Sequence, residues 1–112
     1  MNPLTITASH APRGLVLEAV GDLDHTNAQR LRHAAQEAEL PPGGLLVVDL
    51  SRLEFCDSSG ITALIAVRNR AEAAGGALVL VVVSAALRRL LNLTGLDQVL
   101  DVRDAVPLLT DH

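Results

Sequence analysis

Two short aliphatic blocks, residues 45–50 and 77–83, constrain the fold of this 112-residue chain more than any other feature. Each has the length and composition of a strand that is covered on both faces, which is typical of parallel sheets. An alanine-rich segment of helix length, residues 61–74, lies between them. A strand, a helix and a second strand in this order form a right-handed crossover that pairs the strands in parallel. The chain is therefore predicted to be an α/β protein.

The segments around this unit extend the alternation of strands and helices. They predict strands over residues 4–8 and 15–20, helices over 28–38 and 85–93, a strand over 99–102 and a terminal helical segment that begins at Asp104. Residues 51–56 are interpreted as a loop or short turn. The predicted order is β-β-α-β-α-β-α-β-α in one domain over residues 1–112. We expect a mixed, mostly parallel sheet flanked by helices, with an antiparallel hairpin at its edge.

Helix boundaries are indicated by local capping patterns. Thr26 and Gln29 have capping-box spacing at the start of the first helix, and Asp24 is a competing N-cap. Ser84 is a suitable N-cap for the helix over residues 85–93, and Thr94 with Gly95 ends that helix. These patterns predict N-caps for two of the three helices that precede the terminal segment.

The composition excludes several classes of function. The chain has one Phe, no Trp and no Tyr, so it offers no aromatic platform for stacking bases, and its net charge of −4 disfavours nucleic-acid binding. Cys56, the only cysteine, allows neither an intramolecular disulfide nor a multi-cysteine metal site, and is interpreted as a small buried residue. The sequence has no signal-peptide pattern and no stretch long enough to span a bilayer. We therefore expect a cytoplasmic protein with no membrane partner and no cofactor.

A short polar segment, Asp57-Ser58-Ser59-Gly60, precedes the central helix. Ordinary helix capping explains this segment, because Asp and Ser are preferred N-cap residues. A phosphate on Ser58 would, however, place a charge of about −1.5 to −2 at the positive end of the helix dipole. The fold would tolerate that charge, whereas a protein docked on this surface would meet it. The pattern alone leaves capping and a phosphorylation switch both open.

A second polar segment, residues 21–25, also joins a strand to a helix, and a turn with a helix cap explains it equally well. Because the carboxyl ends of parallel strands lie at one end of the sheet, the two segments are expected to form one composite surface. A metal site at Asp22, Asp24 and His25 lacks a fourth donor. A catalytic Ser58 lacks both the Gly-x-Ser-x-Gly pattern and a recognisable histidine partner.

Several segments, in this order, resemble STAS domains of the anti-sigma-factor antagonist type. They are Gly-Asp-Leu-Asp-His at residues 21–25, the strand at 47–51, Phe-Cys-Asp-Ser-Ser-Gly at 55–60, the glycines at 75–76 and the segment 90–96. The resemblance extends from about residue 15 to about residue 109. The Asp-Ser-Ser-Gly motif alone is moderately specific, and its order with the other segments makes the match strong. The resemblance implies the STAS fold.

The resemblance also implies a non-enzymatic partner switch. The unphosphorylated chain would bind an anti-sigma factor that is itself an ATP-binding serine kinase, which would free a sigma factor for transcription. Phosphorylation of Ser58 would release this partner, and a metal-dependent serine phosphatase would reset the switch. The interface positions that match the family are Asp24, Ser58, Ser59 and Gly60, and the start of the following helix, Ile61 and Thr62, is expected to contribute. The predicted partner-binding surface is completed by Asp22, His25 and Asp57.

Two other functions remain open at this point. A free-standing STAS subunit of a stressosome-like assembly or of a lipid transporter would have the same fold and a different partner. A small serine hydrolase would be distinguished by covalent labelling with a serine-reactive probe. We expect the free chain to be a monomer, because each apolar stretch has a use within the domain.

Overall fold

The computed structural model describes residues 2–109. Its strands are β1 (Thr5–Ala11), β2 (Gly14–Leu23), β3 (Leu45–Asp49), β4 (Leu53–Cys56), β5 (Ala77–Val81) and β6 (Asp101–Arg103). Its helices are α1 (Ala28–Glu37), α2 (Ser58–Ala73) and α3 (Ala85–Leu93), and a 3-10 turn over Leu96–Gln98 follows α3. No helix among the described residues is long and apolar enough to cross a membrane.

The strands form one sheet in the order β1-β2-β3-β5-β6, and β4 pairs with β2. The β1–β2 hairpin is antiparallel, whereas β2–β3, β2–β4, β3–β5 and β5–β6 are parallel. One end of β2 pairs with β3 through Gly14–Glu18, and the other end pairs with β4 through Gly21–Leu23. Thus β3 and β4 follow one another along the same edge of β2. This mixed, mostly parallel sheet with its helices confirms the predicted α/β fold class.

The two faces of the sheet carry cores of different size. Side chains that alternate along β2, β3 and β5, such as Leu17, Val48 and Leu80, form the larger core with α1, α2 and α3. The opposite face carries a small cluster of Val47, Val79, Val81 and Leu109. The main-chain oxygen of Leu109 accepts a hydrogen bond from the Arg13 N–H at 3.0 Å, which ties the C-terminal segment to this face.

The predicted terminal helix is wrong for residues 104–109, which contain no helix. The hydrogen bond to Arg13 and the burial of the Leu109 side chain hold this segment across the second face of the sheet. Residues 110–112 lie outside the described part of the chain. The last strand also differs from its predicted bounds of 99–102. The N–H groups of Val99 and Leu100 both donate to the Leu96 oxygen, at 3.1 and 2.7 Å, so these two residues close the preceding turn and β6 begins at Asp101.

The interpretation of residues 51–56 as a loop or short turn is wrong for its last four residues, where β4 forms. Glu54 and Phe55 are both exposed, so this strand has no clear alternation of buried and exposed residues. It forms because its backbone pairs with the end of β2, where Asp22 aligns with Phe55 and Leu23 with Cys56. Long-range pairing of this kind overrides a weak local pattern.

Candidate functional site

The predicted phosphoacceptor segment forms the start of α2. The helix begins at Ser58 rather than at the predicted Ile61, and Asp57 is its N-cap. One carboxylate oxygen of Asp57 accepts hydrogen bonds from the Ser59 N–H at 2.8 Å and the Gly60 N–H at 3.1 Å. These are two of the backbone donors that a helix start leaves without an intrahelical partner. The capping function considered for this segment therefore belongs to the carboxylate of Asp57, and the Ser58 side chain is exposed.

The second polar segment forms the loop from β2 to α1. The Asp24 carboxylate accepts hydrogen bonds from both the N–H and the hydroxyl of Thr26, and the Asn27 side chain closes the loop onto the N–H of Asp24 and the oxygen of Asp22. The hydroxyl of Thr26 is the main cause that lowers the pKa of Asp24, and the backbone bond adds to it. The predicted capping box is wrong: α1 begins after Asn27 with no side-chain cap. The Asp24 main-chain oxygen accepts the Ala28 N–H instead.

The two loops meet at Asp57. This proximity was predicted, because both loops follow the carboxyl ends of parallel strands. The second carboxylate oxygen of Asp57 accepts the backbone N–H of His25 at 3.2 Å and lies 3.8 Å from the His25 Nδ1. The Asp57 N–H donates to the Leu23 oxygen at 3.2 Å. A single carboxylate thus holds the start of α2 against the loop that leads into α1.

Close packing brings α2 to the end of β2. A Cβ atom added to Gly60 would lie 2.6 Å from the Cys56 Sγ and 3.0 Å from two carbon atoms of Leu23. A side chain at this position would push the helix away from β2 and β4. Gly60 is therefore needed for close approach of the first helical turn to the sheet.

The predicted partner-binding residues differ in their exposure. His25, Ser58 and Thr62 are exposed, and Asp57 and Ser59 are half-buried. The Asp22 and Asp24 side chains are buried, as are Gly60 and Ile61. Asp22 accepts the Asn2 N–H at 3.0 Å, so its carboxylate contacts the N-terminal segment. The structure therefore brings all nine residues to one end of the sheet, but only part of the set has a side chain available to a partner.

Two residues of this region were missed from the sequence. Gln29 and Arg32 of α1 line a cleft of about 280 Å³ together with His25, Ser59 and Thr62. Helical spacing relates these two residues to each other, because positions three apart share a face of α1, but His25 precedes the helix and no local pattern links it to them. The cleft places a cationic side chain, that of Arg32, beside the predicted phosphoacceptor segment.

Cys56 lies beside this region but has little nucleophilic character. Burial raises the pKa of its thiol to about 11, and the nearby Asp57 carboxylate acts in the same direction. The thiol is therefore protonated at neutral pH. Among residues 2–109, no group of three or more His, Cys, Asp or Glu side chains is arranged to bind a metal ion.

Solved structures with the same fold include two whose sequences are more than 25% identical to that of this chain. An anti-sigma factor antagonist from Mycobacterium paratuberculosis is 29% identical with a TM-score of 0.81, over 93% of this chain and 88% of that one. A sulfate transporter family protein from Wolinella succinogenes is 26% identical with a TM-score of 0.70, over 81% of this chain and 76% of that one.

A more distant structure shares the fold alone. The Bacillus cell fate determinant SpoIIAA, in its phosphorylated form, is 22% identical with a TM-score of 0.70, over 91% of this chain and 92% of that one. At the level of sequence, the family model described as "Mlab, STAS domain" matches residues 6–107, which is nearly the whole chain. The chain belongs to the STAS domain family.

Proposed function

We propose that this chain is an anti-sigma factor antagonist whose binding to an anti-sigma factor is controlled by phosphorylation of Ser58. The observation that carries the proposal is the division of roles between Asp57 and Ser58. Asp57 satisfies the N–H groups of the first helical turn, and Ser58 exposes its hydroxyl beside that cap. The hydroxyl is therefore free to be modified without loss of the cap. The similarity to the mycobacterial anti-sigma factor antagonist supports the same function.

The unmodified surface suits a protein partner. Exposed His25, Ser58 and Thr62 surround the half-buried Ser59, while Asp22 and Asp24 shape the loop beneath them. In this proposal the partner is an anti-sigma factor with serine kinase activity and its own ATP, and its binding frees a sigma factor. The chain itself supplies the phosphoacceptor and performs no catalysis.

Phosphorylation would change binding far more than it changes folding. The phosphate carries about −1.5 to −2 charge and lies at the positive end of the α2 dipole, which favours it in the free protein. In the complex, the same charge would lose its hydration next to the Asp57 carboxylate. The phosphorylated chain is therefore expected to dissociate from its partner, and a serine phosphatase would restore binding.

Incubation with candidate anti-sigma kinases and Mg-ATP tests the proposal, with peptide mass spectrometry to locate the phosphate. We expect phosphorylation of Ser58 in the wild-type chain and in a Ser51→Ala control, and none at this position in Ser58→Ala. In a pull-down assay, Ser58→Ala should retain the kinase in the presence of ATP, whereas the wild-type chain should become phosphorylated and release it. Phosphorylation of Ser58→Ala at the wild-type level would overturn the assignment of the acceptor.

A STAS subunit of a membrane transporter is the second candidate function. The 26% identity with a sulfate transporter family protein over most of this chain favours it. In this case the partner would be a transporter component rather than a kinase. Co-purification of the tagged chain from its native cells separates the two: a stable complex with transporter subunits and none with an ATP-binding anti-sigma factor would favour this alternative.

A further inference from the structure

The sheet splits beyond the end of β3. After Asp49 the chain turns and continues as β4 along β2, whereas the chain after β5 leads into α3. A cleft of about 240 Å³ lies between these two branches and is lined by all four residues of β4 and, on the other side, by Ser84, Ala86, Leu87 and Leu90. Consecutive residues of a strand point to opposite faces. The border of the cleft is therefore the edge of β4, where its backbone groups lie.

This edge of β4 is open. Among the strands of residues 2–109, β4 pairs with β2 alone. An open edge presents backbone N–H and C=O groups that another extended chain can satisfy, and such edges are recognised by peptides that add a strand. Strand addition would bring alternate side chains of the added peptide towards the wall formed by α3.

The lining indicates which side chains such a peptide would carry. Phe55, the only aromatic residue of the chain, lines the cleft and is 54% exposed. Leu53, Leu87 and Leu90 make the cleft mainly apolar, and among residues 2–109 Glu54 is the one charged residue that lines it. Exposed aromatic and aliphatic side chains anchor protein interfaces, and a carboxylate at the rim complements a cation. The surface thus suits apolar side chains together with a lysine or arginine.

We propose that the edge of β4 and the facing wall of α3 bind an extended segment of a partner protein, which adds a strand to the sheet. The cleft is smaller than the range of about 300–1,000 Å³ that is typical of small-molecule pockets, so single side chains fill it better than a drug-sized ligand. A second copy of this chain fits less well, because its β4 would bring another Glu54 carboxylate and no basic side chain to the cleft.

Selection of random eight-residue peptides on the full chain tests this inference. We expect enrichment of sequences with alternating apolar residues and at least one basic residue. Ala86→Arg, which places a long side chain at the cleft, should weaken binding of these peptides at least about tenfold. The matched control is Ala85→Arg, since Ala85 is also exposed in the first turn of α3 but does not line the cleft. The Ala85→Arg variant should bind the selected peptides as tightly as the wild-type chain does.

Backbone methylation of the selected peptides distinguishes strand addition from simple filling of an apolar cleft. Removal of two alternate N–H groups should weaken binding about tenfold or more if those groups pair with β4. Hydrogen exchange at residues 53–56 should slow when the peptide is bound. Failure to enrich any peptide that discriminates between the two arginine variants would overturn the proposal. Peptide binding that is insensitive to N-methylation would also overturn it. So would concentration-dependent dimerisation of the chain that Ala86→Arg abolishes, because a second copy would then occupy the edge.

This interaction does not depend on the proposed phosphorylation. The wild-type chain and Ser58→Ala should bind the selected peptides equally. The peptide assay contains neither kinase nor ATP. Its result therefore stands apart from the test of the proposed function.

Discussion

The Asp57 carboxylate joins two loops: one oxygen caps α2, and the other accepts the backbone N–H of His25 at 3.2 Å. Loss of this carboxylate would release both contacts together. This relationship explains how two segments that are distant in sequence form one surface beside Ser58.

Asp57→Ala is expected to destabilise the domain by about 1–2 kcal/mol, the usual effect of removing an N-cap side chain. Urea unfolding followed by circular dichroism measures the change. Asp57→Asn is the control, because its side-chain oxygen still accepts the N–H groups of residues 59 and 60 and its effect should be smaller. Equal losses for the two variants would contradict the assignment of Asp57 as the cap.

Gly60→Ala is expected to cost about 1–3 kcal/mol, because the added methyl group would overlap the Cys56 Sγ and press on Leu23. The same unfolding measurement applies. Combining it with Cys56→Ala removes the closer of the two contacts, so the double variant should lose less than the sum of the single changes. Strict additivity would show that crowding by the Cys56 Sγ is not what costs stability.

Cys56 should react slowly with iodoacetamide in the folded protein. With a pKa of about 11 instead of the ordinary 9.0, the thiolate fraction at pH 8 falls from about 10% to about 0.1%, and alkylation should be about 100-fold slower than in the urea-unfolded chain. Mass spectrometry over time measures both rates. Similar rates in the two states would contradict the raised pKa.

The same shift sets a pH dependence of stability. Between pH 9 and 11 the folded thiol keeps a proton that the unfolded thiol releases, so this group makes the free energy of unfolding fall as pH rises through that window. Cys56→Ala should remove this contribution. The slopes of unfolding free energy against pH are therefore expected to differ between the two chains only above about pH 9, in urea unfolding repeated across pH.

Leu109→Ala is expected to destabilise the domain by about 2 kcal/mol, at the low end of the range for buried leucines, because the cluster on the second face of the sheet is small. The neighbouring Leu108 is 83% exposed and supplies a matched control. Leu108→Ala should change stability by less than about 0.5 kcal/mol. Thermal unfolding of the two variants gives the comparison, and equal stabilities would contradict a structural role for Leu109.

Much of the fold could be predicted because its strongest signals are local. The aliphatic runs that became β3 and β5 and the Ser84 cap of α3 depend on neighbours in the chain. By contrast, β4 depends on pairing with β2, and the path of residues 104–109 depends on a contact with Arg13. No local pattern carries that information.

The candidate site shows the same division. The segments at residues 21–25 and 57–60 were recognisable, and their position at one end of the sheet followed from parallel topology. Which side chains a partner could contact was not predictable. Asp22 is buried and accepts a hydrogen bond from Asn2, Asp24 is buried and accepts one from Thr26 of its own loop, and His25 is exposed. Gln29 and Arg32 join the site only through the packing of α1 beside α2.

The double pairing of β2 has a consequence for how the chain folds during synthesis. The β1–β2 hairpin is local and can form as soon as residues 5–23 have emerged from the ribosome. Its other edge stays uncovered until β3 and β4 arrive later in the chain, because parallel partners are distant in sequence. The nascent hairpin therefore passes through an interval in which an apolar strand edge is open to association with other chains.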